Sequence, residues 1–228
     1  MITVAARQRL LTLLAVALTL SLIPALAAEH QAATIEALFA DLDGSYRMAP
    51  DDANAGIGGA PPHLTAHYAA VFAPAIGANV AYWQLDAGED SRVYRQALLV
   101  FEPDGDGNFR QRAYNFRTPE DYVHGHTRPD IFIGIQPDDI VPAVADSCIS
   151  TWSLTEQGWS GIMAADSCRM FSERRNTWRL IGAEVLPRGD SLLYVERGFS
   201  EDGEMLFGLP DGEHYDLKRI QAEASAID

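Results

Sequence analysis

Charged side chains stand inside two segments that otherwise show the apolar alternation of β-strands. In RVYRQALLVF, residues 92–101, Arg95 shares one face with four apolar side chains. In SLLYVERG, residues 191–198, Glu196 shares a face with Tyr194. An unpaired charge in an apolar interior costs on the order of several kcal/mol, so an inward Arg95 needs a partner. Glu196 is the internal candidate. A ligand carboxylate is the alternative, because the guanidinium fork matches a carboxylate bidentately.

Alternation alone leaves other placements of Arg95 open. A register that slips by one residue turns every side chain of the strand to the opposite face. The guanidinium can also lie outside the core while its aliphatic stem covers apolar neighbours. The spacing therefore predicts a strand, and it leaves the side on which Arg95 lies to be determined.

The elements that must position these residues are short strands separated by turns rich in Gly, Asp and Asn. Such a series predicts an all-β antiparallel fold with minor helices, either a barrel or a sandwich, and an up-and-down barrel of about eight to ten strands has room for one small ligand. Helical spacing is confined to 34–44, 63–72 and 136–146. The predicted strands are 79–86, 92–101, 109–117, 148–154, 159–164, 168–172, 178–186, 191–198, 203–208 and 213–219.

The first residues have the pattern of a secretory signal peptide. Arg7 and Arg9 precede an apolar run that ends at Ala25-Leu26-Ala27, a small-residue cleavage pattern. Cleavage after Ala27 is preferred and cleavage after Ala28 is the alternative. We therefore predict a signal peptide at 1–27, a single barrel domain at 28–228, no stable membrane span after cleavage, and a periplasmic or secreted protein.

Composition narrows the set of partners. The formal charge is −15, and no basic block interrupts the sequence, so nucleic acid is excluded as a partner. The chain has two cysteines, Cys148 and Cys168, and an exported protein with two cysteines most often joins them. We predict this disulfide, with a reactive thiol as the alternative.

Histidine spacing raises a metal site as an alternative. His63 and His67 are four residues apart, the spacing of one helical face, and His124 and His126 are two apart, the spacing of one strand face. No acidic ligand motif accompanies either pair, so we expect polar loop histidines and no metal.

A calcium loop is the alternative for the segment that begins at Asp104. Asp104, Asp106 and Asn108 have the spacing of the first calcium ligands, but Phe109 stands where such a loop needs glycine. A hairpin turn is therefore the preferred interpretation.

Several blocks together resemble the CpcT/CpeT chromophore lyase family. They are LDGSYR at 42–47, AYWQ at 81–84, Tyr94-Arg95-Gln96, Cys148 with Trp152, Trp159-x-Gly161 with Cys168, and the segment 196–219. The resemblance extends over about residues 34–219. It implies a lipocalin-like barrel whose cyanobacterial members bind a linear tetrapyrrole, or bilin, and deliver it to a phycobiliprotein cysteine as a thioether.

The resemblance also implies roles for individual residues. Arg95 would hold a bilin propionate, and Glu196 would lie near the pyrrole nitrogens. The remaining ligand-binding residues that it implies are Tyr82, Gln84, Tyr94, Tyr194 and Phe207. We expect no cofactor apart from a bilin ligand, and we expect an acceptor protein as partner if the lyase reaction occurs. The alternatives are a non-enzymatic binding protein for another hydrophobic molecule, and an interaction protein whose lumen is filled by its own side chains.

Overall fold

The computed structural model describes residues 34–49, 63–88, 90–173 and 175–220. The predicted signal peptide, 1–27, lies outside the described residues. The chain divides after Ala37 into two compact units, and every strand belongs to the unit that begins at Leu38. Residues 34–42 are helical, close to the predicted 34–44. The helix ends before Gly44, whose φ of 142° starts the first strand in a conformation that favours glycine.

The described residues form one sheet of thirteen antiparallel strands. In chain order the strands are β1 Gly44–Met48, β2 Thr65–Val71, β3 Val80–Ala87, β4 Arg92–Pro103, β5 Phe109–Phe116, β6 Ile140–Pro142, β7 Ser150–Thr155, β8 Gly158–Met163, β9 Arg169–Ser172, β10 Thr177–Arg188, β11 Ser191–Phe199, β12 Met205–Phe207 and β13 Tyr215–Arg219. Short 3-10 turns lie at Pro119–Tyr122, Gly125–Thr127, Pro129–Phe132, Pro137–Asp139 and Ala165–Ser167.

The sheet closes on itself as an up-and-down barrel. Around the ring the order is β1, β2, β3, β4, β5, β7, β8, β10, β11 and β13, and β13 pairs back onto β1. The short strands β6, β9 and β12 are not members of the ring. They pair with the ring strands β5, β10 and β11, respectively. The predicted all-β barrel is therefore confirmed, and closure leaves the ten ring strands without free edges.

Two segments predicted as short helices are strands. Residues 65–71 form β2 instead of a helix, because backbone pairing with β1 and β3 outweighs the helix propensity of the three alanines in the segment. Both faces of β2 carry buried side chains, so the sequence lacks a polar face that would reveal a period of two. In 136–146, a 3-10 turn at Pro137–Asp139 leads directly into β6, and Pro142 ends that strand.

Apolar side chains pack on both sides of the barrel wall. Inside, Phe101 packs on Trp152 and Phe109 packs on Trp159, with each pair of ring centroids 6.0 Å apart. Position 161 requires glycine, because a Cβ added there would collide with the Trp152 indole. Outside, the segment 119–135 covers β3, β4 and β5. The buried outer core comprises Ala73, Val80, Tyr82, Leu98, Val100, Phe116, Phe132, Ile135 and Ile140.

The turn at 104–108 is a hairpin between β4 and β5. The Asp104 carboxylate accepts hydrogen bonds from the backbone N–H groups of Asp106 and Asn108, at 2.9 Å and 3.2 Å. These bonds use one oxygen of the carboxylate to stabilise the turn itself.

Among the described residues, no helix has both the length and the apolar character needed to cross a bilayer.

Cys148 and Cys168 form the predicted disulfide, and both are buried. The bond joins the segment before β7 to the segment before β9 and closes a loop with a sequence separation of 20. Replacing both cysteines with serine is expected to lower the free energy of unfolding by about 3 kcal/mol, because the unfolded chain regains the entropy of that loop. Urea unfolding of the oxidised protein and the double variant measures the difference. Two titratable thiols in the unfolded, unreduced protein would contradict the bond.

Candidate functional site

The barrel encloses a cavity of about 510 Å³, a volume within the usual range for small-molecule sites. Side chains from many strands form its wall, among them those of β2, β3, β4, β5, β8, β10 and β11. Most of the wall is apolar or aromatic. Its larger side chains are Tyr68, Trp83, Tyr94, Leu99, Met163, Met170, Ile181, Val185, Tyr194 and Phe207.

The structure brings five of the seven predicted ligand-binding residues together at this cavity. They are Tyr94, Arg95, Tyr194, Glu196 and Phe207. Arg95 lies on the cavity face of β4 together with Ala97 and Leu99, as the alternation in the sequence indicated. The slipped register and the outward placement of Arg95 are therefore not what the structure shows.

A β-bulge explains why Tyr94 and Arg95, which are neighbours in the chain, both reach the cavity. Leu85 of β3 pairs with Arg95, but the next residue, Asp86, pairs with Val93. Tyr94 is thus the extra residue of the bulge. In a regular strand, adjacent side chains point to opposite faces, and a bulge removes this restriction locally.

Arg95 and Glu196 form an ion pair at the cavity wall. Arg95 Nη1 donates to Glu196 Oε2 at 2.6 Å, and the two side chains are 43% and 20% exposed. Burial lowers the pKa of the Arg95 guanidinium, but the Glu196 carboxylate and its hydrogen bond outweigh burial, so the pKa is raised. Burial raises the pKa of the neighbouring Tyr194 phenol. The site therefore holds a permanently charged fork beside a neutral phenol.

Glu196 and Arg197, adjacent on β11, lie on opposite sides of the wall. Arg197 points away from the cavity, and its guanidinium is paired with Glu184 and donates to the carbonyl oxygens of Leu209 and Glu213. Its side chain is 7% exposed. The sequence leaves open which of the two charges faces inward, and the structure places Glu196 there.

Tyr82 and Gln84, the other two predicted residues, do not line the cavity. They lie fully buried on the outer face of β3, beneath the segment 119–135. Gln84 Nε2 donates to Asp86 Oδ1 at 2.7 Å, and Gln84 Oε1 accepts from the His124 backbone N–H at 2.8 Å. The Tyr82 hydroxyl donates to the Tyr122 carbonyl oxygen at 2.8 Å. This network attaches the outer segment to the barrel.

Histidines complete the outer network. The rings of His67 and His126 stack with centroids 3.9 Å apart, and His67 Nε2 lies 3.2 Å from Asp86 Oδ2. His124 packs edge-on against His126. Within the described parts of the chain, no group of three or more His, Cys, Asp or Glu side chains is arranged to hold a metal ion.

The outer network is expected to make stability fall with acidification. Burial, followed by the nearby His67 and His124, lowers the pKa of His126 to about 4 from an ordinary value of 6.5, with Asp86 opposing the shift. The unfolded chain therefore binds this proton first, and stability is lost as the pH falls from about 6.5 to 4. We expect a loss of at most about 1.4 kcal/mol per pH unit.

Urea unfolding across this pH range measures the slope, and the non-titrating His126→Phe variant is expected to flatten it. Burial raises the pKa of the Asp86 carboxyl, but hydrogen bonds from His67 and Gln84 together lower it below the ordinary 3.8. The contribution of Asp86 is thus lost only at lower pH, which separates the two groups. An unchanged slope in His126→Phe would contradict the assignment.

Three side chains of the cavity wall lie outside the predicted set of ligand-binding residues. Trp83 and Tyr68 present large aromatic surfaces, and Arg179 of β10 is a second arginine on the wall. Arg179 alternates with Ile181, Ala183 and Val185 on the cavity face of β10. This is the signal that identified Arg95, so the pattern to find Arg179 was present in the sequence.

Comparison with known proteins supports the fold. No model of a known protein family matches the chain, and no curated protein matches it. Among solved structures, the selenomethionine form of the CRL protein of Arabidopsis is similar, with a TM-score of 0.57 and 15% sequence identity. The similarity covers 82% of this chain and 97% of that chain. At this identity the likeness shows a shared fold.

Proposed function

We propose that the protein binds an elongated, largely apolar molecule with an acidic group in the barrel cavity, and that a bilin is the favoured class. The observation that carries the proposal is the cavity of about 510 Å³ with the Arg95–Glu196 pair in its wall. Aromatic and aliphatic side chains suit a conjugated apolar body, and the few polar groups suit its orientation.

The pair itself matches the chemistry of a bilin. A bilin carries propionate carboxylates, which accept hydrogen bonds from a guanidinium, and pyrrole N–H groups, which donate to a carboxylate. Arg95 and Glu196 offer both functions, 2.6 Å apart. The resemblance of residues 34–219 to the CpcT/CpeT chromophore lyases favours the same ligand class.

A lyase reaction would extend this binding function. Both cysteines of the chain are joined to each other, so an acceptor cysteine must come from another protein. Incubation with phycocyanobilin and an apo-phycobiliprotein is expected to give a thioether adduct detectable by mass spectrometry. An acceptor that stays unmodified beyond its level without the protein favours the binding-only function.

The second candidate is non-enzymatic binding of another hydrophobic acid, such as a fatty acid. The aliphatic part of the wall, which includes Met163, Met170 and Ile181, favours it. The cavity argues against the third alternative, in which the protein's own side chains fill the lumen.

We infer that the protein works outside the reducing cytoplasm. The buried Cys148–Cys168 bond supports this, because disulfides persist in oxidising compartments. The signal-peptide pattern at 1–27 predicts the same location. Fractionation of cells that express the full chain is expected to recover it in the periplasm or the medium, and recovery in the cytoplasm would contradict export.

Absorption titration with biliverdin tests the ligand class. A saturable spectral change at micromolar biliverdin is expected, and excess palmitate should displace the bilin weakly. Efficient displacement by palmitate at equal concentration would favour the fatty-acid alternative. No spectral change would remove the tetrapyrrole proposal.

A further inference from the structure

Among the described residues, Arg179 of β10 is a cation of the cavity wall without an anionic partner. Its Nε is buried and has no hydrogen-bond acceptor in the described part of the chain. The neighbouring group with which it interacts is the Phe207 ring, whose centroid lies 5.8 Å from the guanidinium carbon. An aromatic face offers some attraction to a cation, but it gives the Nε–H donor no acceptor.

The charges of the cavity wall do not balance. Among the described residues that line it, three side chains are charged: Arg95, Glu196 and Arg179. Arg95 and Glu196 neutralise each other through their ion pair. One positive charge therefore remains, in a protein whose formal net charge is −15. A buried N–H donor without an acceptor costs free energy, and an anionic ligand group would supply the acceptor that Arg179 Nε lacks.

Arg179 lies well apart from the Arg95–Glu196 pair. Ala183 pairs with Glu196, and Arg179 precedes Ala183 by four residues on the same strand. At about 3.3 Å per residue, this separation is about 13 Å along β10. Ile181 occupies the cavity face between them, and Met163, Met170 and Phe207 add apolar wall. The two polar positions are thus separated by an apolar section.

We infer that Arg179 binds the anionic group of the ligand, and that the apolar body extends from there towards the Arg95–Glu196 pair. This inference rests on the proposed binding function. Arg95 is already neutralised, so Arg179 supplies the net attraction that distinguishes an acid from its neutral ester. The ligand class is accordingly an apolar carboxylate, and neutral apolar molecules of the same shape bind less tightly.

Titration of biliverdin and of its uncharged dimethyl ester tests the inference, with Arg179→Met compared with the unaltered protein. We expect the unaltered protein to bind the acid at least about tenfold more tightly than the ester. In Arg179→Met this preference should shrink to less than about threefold, with the ester affinity unchanged. Arg169→Met is the matched control, because Arg169 lies on the adjacent strand, half exposed and paired with Glu201.

Further results distinguish the role of Arg179 from the proposed binding function. Arg179→Met is expected to melt at the same temperature as the unaltered protein or higher, since it removes a buried N–H donor that has no acceptor. Arg179→Lys keeps the charge and is expected to retain part of the preference. A preference that persists in Arg179→Met, or that is absent from the unaltered protein while both ligands bind, overturns the role of Arg179 alone. Failure of both ligands to bind the unaltered protein overturns the proposed function as well.

Discussion

The Ala183→Trp variant is expected to bind biliverdin at least about 100-fold more weakly than the unaltered protein, a loss of about 2.7 kcal/mol. Ala183 lies midway along the cavity face of β10, opposite Glu196 on β11. An indole at this position would project into the cavity beside Glu196, at the end of the apolar section that extends from Arg179. The ligand would then lose both its apolar wall and its path between the two polar positions.

The fold of this variant is expected to survive. Adding a large side chain to a well-packed core costs about 1–3 kcal/mol, but Ala183 faces a cavity of about 510 Å³ that can accept the ring. Thr151→Trp is the matched control, because Thr151 is exposed on β7 and its neighbour Trp152 occupies the interior. Absorption titration and thermal melting of both variants separate binding from folding. Unimpaired binding by a folded Ala183→Trp would place the ligand outside the cavity.

Removing only the arginine of the Arg95–Glu196 ion pair is expected to cause the second largest loss of affinity for biliverdin. Arg95→Met removes the cation and leaves Glu196, a carboxylate that is 20% exposed, without its partner. The net charge of the cavity wall falls from one positive charge to none, and the remaining carboxylate repels an acidic ligand. We expect the affinity for biliverdin to fall by about 10- to 100-fold.

The double variant Arg95→Met/Glu196→Gln distinguishes repulsion from lost contact. It restores the single positive charge of the cavity wall, so part of the lost affinity is expected to return, while the contacts that Arg95 and Glu196 make with the ligand stay lost. Arg92→Met is the control, since Arg92 is the first residue of β4, pairs with Asp90, and both side chains are largely exposed. If the double variant binds no better than Arg95→Met, the guanidinium contact itself provides the affinity, and the charge argument fails.

The sequence predicts the barrel well because its turns are explicit. Gly and Asp at the turns separate strands of similar length, and most predicted strands lie within two residues of those observed, as β4 and β11 illustrate. The sequence does not predict β2, because both faces of this strand are covered and its residues therefore lack the polar alternation of a half-buried strand. A strand of this kind is defined by its partners β1 and β3, which the local sequence does not report.

The candidate site was predictable in part, for a related reason. Alternation correctly groups Tyr82 with Gln84 on β3, but it cannot indicate which face of that strand lines the lumen. Both faces are buried, because the segment 119–135 forms an outer layer that covers the second face. The bulge at Tyr94 is equally invisible in the sequence, since it depends on how β3 and β4 pair.

A crystal structure of the protein with bound biliverdin is the most direct test that the barrel cavity is the ligand site. The bilin is expected inside the barrel, with a propionate on the Arg179 guanidinium and the conjugated body extending along β10 towards Arg95 and Glu196. A bilin bound stoichiometrically on the outer surface, with the cavity free of it, would show that the cavity is not the ligand site.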